Sequence, residues 1–271
     1  MDIIDFRARP YTKELAAAWG QPRATRLLGL PEPSVVTLDE FRRDLDANGV
    51  ALAVMTGRQK VSQGRIVRGI TNDYISECVQ RMSGRLIGFA GIDPTTGPAA
   101  VQELRRAIEV LGLRGVAIDP ELSETMPDAP AMYPIYEAAM ALNVPVVITV
   151  GPFIGAYGDP RPVYNVASRM PELTIVCSHG LYPRVTEFIE LALRWPNVYL
   201  ELSLYQFLPG VEPIIAAAET ILRNKVVYAS AYPIGPLNAA KRTQALPLSP
   251  AARNALMYEN AARILGVPAK A

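Results

Sequence analysis

Short apolar runs alternate with segments of helical periodicity along nearly the whole chain. The apolar runs are rich in β-branched residues, which is typical of parallel strands covered on both faces. The segments between them repeat apolar positions every three or four residues, as amphipathic helices do. Strands are predicted from residue 3 and over 50–55, 86–92, 115–118, 145–150, 174–178, 198–202 and 226–230. Helices are predicted near 14–19 and over 37–48, 72–82, 99–111, 131–142, 163–169 and 211–223. A further helix follows the strand at 174–178 and ends at residue 194, and the last helix, over 249–265, is predicted to be broken near Glu259.

Several helix ends carry local signals. Thr37 and Glu40 have the spacing of a capping box, in which each side chain satisfies a free N–H group at the helix start. Gly49, Gly84 and Gly112 follow predicted helices, where glycine commonly ends them. Two connections, 10–34 and 151–162, are longer than plain turns, and loops of that length are often functional.

The alternation amounts to eight strand-then-helix units with no segment left over for another domain. Eight right-handed βα units in this length predict a single (β/α)₈ TIM barrel over residues 1–271, of class α/β. A doubly wound open sheet is the alternative. It is disfavoured because no glycine-rich dinucleotide fingerprint follows any predicted strand.

Composition narrows the classes of function. Half of the 271 residues are apolar and the formal net charge is +1, which points to neither nucleic acid nor a membrane surface. No apolar run is long enough to span a bilayer and no signal-peptide pattern is present, so a cytoplasmic protein is expected. Cys78 and Cys177 lie in apolar-periodic segments and are interpreted as reduced core residues. The only histidine, His179, excludes a histidine-rich zinc or iron centre.

In a barrel of this kind, the active site forms where strands end and βα loops begin. The polar residues at those positions are Arg7, Arg9, Arg58, Asp119, Thr149, His179, Glu201, Ser230 and Tyr232. Thr56, Asp93 and Ser203 also lie there and are interpreted as helix caps or loop hydrogen-bonders. Arg58, with Arg65 and Arg68 nearby, also fits a solvated charged rim.

Arg7 and Arg9 follow the first strand one residue apart, a spacing that can place both side chains on the same side. Charged groups at the end of an apolar strand need an anionic partner. That partner is either internal, Asp119 or Glu201, or a substrate carboxylate bound by the guanidiniums. His179 lies at a strand-to-loop junction, which favours a general acid/base or a substrate donor over a packed hydrogen-bonder.

Four segments resemble the amidohydrolase-related proteins of the amidohydrolase superfamily. They are LTIVCSHG (173–180), WPNVYLELS (195–203), VVYASAYP (226–233) and the tail YENAARIL (258–265). The resemblance implies a (β/α)₈ barrel. It also implies a relation to metal-dependent hydrolases, decarboxylases, hydratases and a lactonase that works without metal.

The metal-binding positions of that family are largely replaced. The two histidines that end the family's first strand correspond to Arg7 and Arg9, and its final-strand aspartate corresponds to Ala231. The histidine after strand five is absent, with Thr149 in its vicinity, whereas the strand-six histidine is retained as His179. A guanidinium has no lone pair to offer a metal. We therefore expect neither a metal nor another cofactor.

The resulting expectation is a metal-independent enzyme for a small carboxylated substrate. Arg7 and Arg9 would clamp the anion, with Arg58, Thr149, Ser230 and Tyr232 completing the binding site. His179 would transfer a proton, oriented or assisted by Asp119 or Glu201. Hydrolysis of a cyclic ester or amide is placed first. The alternatives are a lyase reaction, either decarboxylation or dehydration, and an inactive relative that binds an anionic metabolite or a protein. A homodimer is the default assembly for such barrels.

Overall fold

Eight parallel strands follow one another around a barrel in the order in which they occur along the chain. The computed structural model describes residues 2–20, 22–180 and 182–268. The strands are β1 (Ile3–Asp5), β2 (Val50–Thr56), β3 (Gln59–Ser62), β4 (Arg65–Gly69), β5 (Leu86–Gly91), β6 (Val116–Ile118), β7 (Val146–Thr149), β8 (Ile175–Ser178), β9 (Val198–Glu201) and β10 (Val226–Val227). All except β3 and β4 belong to the barrel, which confirms the predicted TIM-barrel fold.

The barrel closes between the first and last strand segments. Ala8 forms a parallel bridge with Tyr232, and the N–H of Phe6 donates to the carbonyl of Tyr228 at 3.0 Å. The side chain of Asp5 adds a further link, because its Oδ1 accepts the N–H of Ser230 at 2.9 Å. Closure therefore places the residues after β1 beside those after β10.

Helices cover the outside of the barrel. They are α1 (Lys13–Trp19), α2 (Arg23–Leu27), α3 (Leu38–Ala47), α4 (Asn72–Met82), α5 (Pro98–Glu109), α6 (Pro120–Ser123), α7 (Tyr133–Ala141), α8 (Pro160–Arg169), α9 (Val185–Arg194), α10 (Glu212–Glu219), α11 (Ala239–Gln244), α12 (Pro250–Asn254) and α13 (Asn260–Leu265). Short 3₁₀ turns lie at Pro94–Thr96, Pro130–Met132 and Pro152–Gly158. The capping box of α3 is confirmed: Thr37 Oγ1 accepts the Glu40 N–H at 3.2 Å, and Glu40 Oε2 accepts the Thr37 N–H at 2.7 Å.

The predicted break near Glu259 is wrong. A π-helical segment, Ala255–Glu259, joins α12 to α13 without interruption. A wider turn leaves a carbonyl free of its usual partner. Here the carbonyl of Leu256 accepts the N–H of Tyr228 at 3.0 Å. The irregular turn thus ties the last helix to the last strand.

Two apolar layers build the core. The larger lies between the strands and the surrounding helices and includes Phe41, Leu104 and Phe188. The smaller lies inside the barrel, where Phe6 and Phe89 meet edge to face with ring centroids 5.8 Å apart. Both cysteines are buried and free, in agreement with their interpretation as core residues.

The hairpin formed by β3 and β4 was not predicted, because its residues were interpreted as a loop. It is antiparallel, pairing Gln59 with Gly69, and it turns through Gln63 and Gly64, both with positive φ. Both strands are short, and β4 is largely exposed; neither shows the apolar alternation that predicts a strand. No helix in the described ranges is long and apolar enough to cross a membrane.

Candidate active site at the barrel mouth

The inner face of the barrel changes from apolar to polar at the carboxyl ends of the strands. Val147 on β7 and Val176 on β8 belong to the inner apolar layer. Side chains alternate along a strand, so the residues two positions on, Thr149 and Ser178, lie on the same face at the mouth. Thr56, Asp119 and Glu201 hold corresponding positions on the neighbouring strands and loops. The period of two therefore delivers a ring of polar groups to one end of the barrel.

A cavity of about 610 Å³ opens at this end of the barrel, and of these groups Asp119 and Thr149 line it. Among the predicted site residues, those lining it are Arg7, Arg9, Arg58, Asp119, Thr149 and His179. Trp19, Lys60, Arg68, Glu121, Glu124 and Tyr205 also contribute to its wall. Among the residues that the structure describes, five basic side chains thus face three acidic ones. The cavity is suited to a negatively charged ligand.

Arg9 is fixed between β2 and α1. Its Nε donates to the carbonyl of Thr56 at 2.7 Å and its Nη2 to the hydroxyl of the same residue. The guanidinium carbon lies 4.8 Å from the centroid of the Trp19 ring, a cation–π distance. Only 1% of Arg9 is exposed. One edge of the guanidinium is occupied by Thr56, and Nη1 remains for a ligand.

Arg7 is held by neutral hydroxyls. Its Nη1 donates to Ser178 Oγ, and its Nη2 lies 3.4 Å from Thr149 Oγ1. The backbone bends at Phe6 and Arg7, directly after β1. This bend brings Arg7 to the inner side of the barrel, beside Arg9. Both arginines therefore reach the same cavity, as their spacing predicted.

The carboxylate of Asp119 at the mouth forms its ion pair with Arg58 and not with Arg7 or Arg9. Asp119 Oδ2 lies 2.6 Å from Arg58 Nη2, and Asp119 Oδ1 accepts the Leu122 N–H at 3.1 Å as the cap of α6. Over the described ranges, no carboxylate forms an ion pair with Arg7 or Arg9. The sequence left two possible anionic partners for these arginines, an internal carboxylate and a substrate carboxylate. The described structure does not supply the internal one as a direct ion pair.

The electrostatics of the two arginines reflect this lack of a partner. Burial lowers the pKa of Arg7, with Glu201 acting in the opposite direction. Burial, reinforced by Arg7 and Arg58, lowers the pKa of Arg9 well below its ordinary value. Arginine nevertheless stays protonated in proteins. The site thus holds two buried positive charges that a bound anion would stabilise.

His179 lines the same cavity with a defined orientation. Its Nδ1 lies 2.7 Å from Ser203 Oγ and 3.3 Å from the Ser203 carbonyl, and its ring meets Tyr205 edge to face at 5.4 Å. A carbonyl only accepts, which favours the proton on Nδ1 and leaves the lone pair on Nε2. Burial first, and then Arg7, lower the pKa of His179 well below its ordinary value. The imidazole is therefore neutral at physiological pH.

Three predicted site residues lie behind the cavity wall. Glu201 is 1% exposed and accepts from Ser178 Oγ and from the Ser203 N–H, both at 2.5 Å. Ser230 does not line the cavity, because its N–H is bound to Asp5 and its Oγ accepts the N–H of Tyr232 at 3.0 Å. Tyr232 stacks on Phe41 outside the cavity. Ser230 and Tyr232 thus take part in barrel closure, and a role for them in substrate binding stays a prediction.

Sequence reasoning missed several groups at the mouth. Ser203 was interpreted as a helix cap or loop hydrogen-bonder, and its partner His179 was not foreseen; Ser178 was passed over although it touches Arg7. Their positions at strand ends were the available signal. Trp19 stacks on Arg9 and lies 5.5 Å from the guanidinium carbon of Arg58. That contact depends on how the 10–34 connection folds back, which no local pattern shows.

The donor set does not fit a divalent metal. Within the described part of the chain, no three or more His, Cys, Asp and Glu side chains are grouped so as to hold one. Arg7 and Arg9 would repel a cation, each by about 4 kcal/mol per unit of cation charge at about 4 Å and an effective dielectric of 20. Ala231, buried at the end of the last strand segment, offers no ligand.

Fold and site together define a class: a (β/α)₈ barrel with charged side chains at the carboxyl ends of its strands, as in barrel enzymes. A family model described as amidohydrolase matches residues 4–267. The chain belongs to the amidohydrolase family, as an enzyme of that superfamily, which confirms the resemblance found in the sequence.

Individual relatives agree with this assignment. An uncharacterized TIM-barrel protein of Bordetella bronchiseptica is 27% identical, with a TM-score of 0.83 over 98% of this chain and 99% of the other. The 5-carboxyvanillate decarboxylase of Sphingomonas paucimobilis, 16% identical, shares the fold with a TM-score of 0.70 over 98% and 99% of the two chains. A 2-amino-3-carboxymuconate-6-semialdehyde decarboxylase of Dictyostelium discoideum is 28% identical over 131 residues, 40% of this chain and 36% of that protein. The match thus spans just over a third of that relative.

Proposed function

We propose that this protein is a metal-independent hydrolase that opens a cyclic ester or amide carrying a carboxylate. The observation that carries the proposal is the convergence on a single cavity of one neutral imidazole and two buried guanidiniums, neither of which forms an ion pair with a described carboxylate. Such a site binds an anion and can accept a proton beside it. Those are the two requirements of hydrolysis assisted by a general base.

The arginines would supply the positive charge for the substrate. Arg9 Nη1 and the remaining N–H groups of Arg7 are available to a carboxylate or to an oxyanion that develops at the attacked carbonyl. Hydrogen bonds to charged groups in a buried site are the stronger ones. Because Thr56 already accepts from two nitrogens along one edge of Arg9, that guanidinium does not bind a carboxylate alone through this edge. The ligand would instead be held by N–H groups of both Arg7 and Arg9.

His179 would act as the general base. Its Nε2 lone pair would take a proton from water as the water oxygen bonds to the carbonyl carbon. The C–O or C–N bond of the ring would then break, and the leaving oxygen or nitrogen would receive that proton. Burial, reinforced by the charge of Arg7, lowers the pKa of His179 and favours the neutral imidazole, so the base is present in its active form at neutral pH.

Decarboxylation is the second candidate. The partial relative from Dictyostelium is named a decarboxylase, and a buried positive site could also stabilise a carbanion or enolate. That reaction ends with protonation of carbon, which needs a proton donor. A neutral His179 whose Nδ1 proton is directed to Ser203 suits this role less well than that of a base.

Incubation with a panel of carboxylated lactones, cyclic amides and unsaturated or aromatic acids, in the presence of a chelator, tests the proposal. In H₂¹⁸O, hydrolysis adds one labelled oxygen to the ring-opened product, whereas decarboxylation releases CO₂. Ring opening with ¹⁸O incorporation is the expected result. CO₂ release without ring opening would establish the second candidate, and no turnover of any compound would favour an anion-binding protein.

A further inference from the structure

Glu201 lies at the centre of the contacts behind the cavity. It is the last residue of β9, is 1% exposed and does not line the cavity, so it cannot touch a bound ligand. One carboxylate oxygen contacts Ser178 and the other contacts Ser203. Ser178 in turn contacts Arg7, and Ser203 contacts His179. A single buried side chain therefore reaches both functional groups through one intermediate each.

The direction of the hydrogen bonds on the arginine side is determined by chemistry. A guanidinium only donates, so Ser178 Oγ accepts from Arg7. The one hydroxyl proton of Ser178 is then directed to Glu201 Oε2, 2.5 Å away. Only an acceptor can occupy that position. The carboxylate thereby fixes the serine, and the serine fixes the guanidinium.

The other oxygen fixes the imidazole. Glu201 Oε1 accepts the N–H of Ser203 at 2.5 Å. This bond holds the backbone of Ser203, whose carbonyl and hydroxyl both face His179 Nδ1. The orientation that leaves Nε2 available therefore depends on the same carboxylate.

We propose that Glu201 is a positioning residue that holds the arginine clamp and the imidazole in one arrangement, through Ser178 and through Ser203. The proposal rests on the proposed function of Arg7 and His179. Since no ion pair joins Glu201 directly to Arg7 within the described structure, the guanidinium keeps its charge for a ligand. A direct carboxylate–guanidinium pair would neutralise the charge that the ligand needs.

The sole histidine makes the test direct. In protein labelled with ¹⁵N-histidine, the nitrogen shifts at pH 8 report the tautomer of His179 alone. Titration calorimetry with benzoate measures how tightly Arg7 and Arg9 bind a carboxylate. Ser203→Ala keeps the backbone carbonyl that faces Nδ1 and the N–H bond to Glu201, so it should retain the Nδ1–H tautomer and leave benzoate affinity within twofold. Ser178→Ala should weaken benzoate binding by about tenfold and leave the tautomer unchanged. Ser168→Ala on the exposed face of α8 is the matched control and should change neither.

Glu201→Gln decides the proposal. Glutamine retains one acceptor oxygen and replaces the other by a donor, so one of the two limbs must break. The variant should therefore either weaken benzoate binding by about tenfold, as Ser178→Ala does, or end the predominance of the Nδ1–H tautomer, because the Ser203 backbone loses the bond that holds it. Wild-type tautomer and wild-type benzoate affinity together would overturn the proposal, whatever the change in melting temperature. If benzoate does not bind the wild-type protein, the anion site of the proposed function fails. Glu201→Leu, which accepts from neither serine, then decides for or against Glu201, because a wild-type tautomer in that variant would overturn the proposal.

Discussion

Asp5 offers a sharp prediction about stability. It is fully buried on β1, where Oδ1 accepts the N–H groups of Arg7 at 3.1 Å and Ser230 at 2.9 Å. Its Oδ2 is buried without a hydrogen-bond partner in the described structure. Burial is the largest cause that raises the pKa of Asp5 from 3.8 to about 6, and the charge of Glu201 adds to it. The folded protein therefore holds this proton at pH values where the unfolded chain has lost it.

The direction and size of the pH effect on stability follow from the linkage between proton binding and folding. Between pH 4 and pH 6 the folded state binds more protons than the unfolded state, so the free energy of unfolding falls as pH rises. Each pH unit between the two pKa values corresponds to about 1.4 kcal/mol, which gives a contribution of about 3 kcal/mol from Asp5. This stabilisation is fully present below pH 4 and is lost above about pH 7. Asp5→Asn keeps an acceptor oxygen for both N–H groups and does not titrate.

The assay is urea unfolding of both proteins at pH 4 to 8. A fixed offset between them is expected, because the new amide N–H lacks a partner at every pH. On top of that offset, stability of the variant relative to wild type should rise by about 2.5 kcal/mol from pH 4 to pH 7.5, most of the full effect. Asp44→Asn, on the exposed face of α3, is the control and should show no comparable trend. A difference between Asp5→Asn and wild type that stays constant with pH would refute the reasoning.

Three further predictions concern the cavity. Arg7→Lys and Arg9→Lys should each weaken carboxylate binding by about 1.5–3 kcal/mol in calorimetry. The control is Arg105→Lys, an exposed residue paired with Glu109; unchanged binding in both cavity variants would assign the arginines to structure. His179→Asn should lower kcat on any lactone that is turned over by about 10²–10⁴. It should still fold, since asparagine tolerates the positive φ of 64° at this position; near-full turnover would mean that another group moves the proton. Elemental analysis after dialysis should find no stoichiometric metal, and about one zinc or manganese per chain would contradict the argument from Arg7 and Arg9.

Local patterns were sufficient for most of the barrel. The bounds of α4 and the capping box of α3 match their predictions because the signals lie within a few residues of each other. The hairpin of β3 and β4 was missed because its support is tertiary: β4 packs against α1, some fifty residues earlier in the chain. Its turn through Gln63 and Gly64 also lacks the asparagine or aspartate that usually announces such a hairpin.

The sequence by itself determined the strand-and-helix order and the set of charged residues at the strand ends. Periodicity and capping are local, and alternation along a strand places its terminal side chain on a known face. Only the tertiary structure decided which charges meet. It paired Asp119 with Arg58, gave Arg7 and Arg9 no ion pair with any carboxylate in the described ranges, and placed Glu201 behind two serines. These partners are tens to hundreds of residues apart, so their distances depend on barrel closure and strand register, which no local pattern encodes.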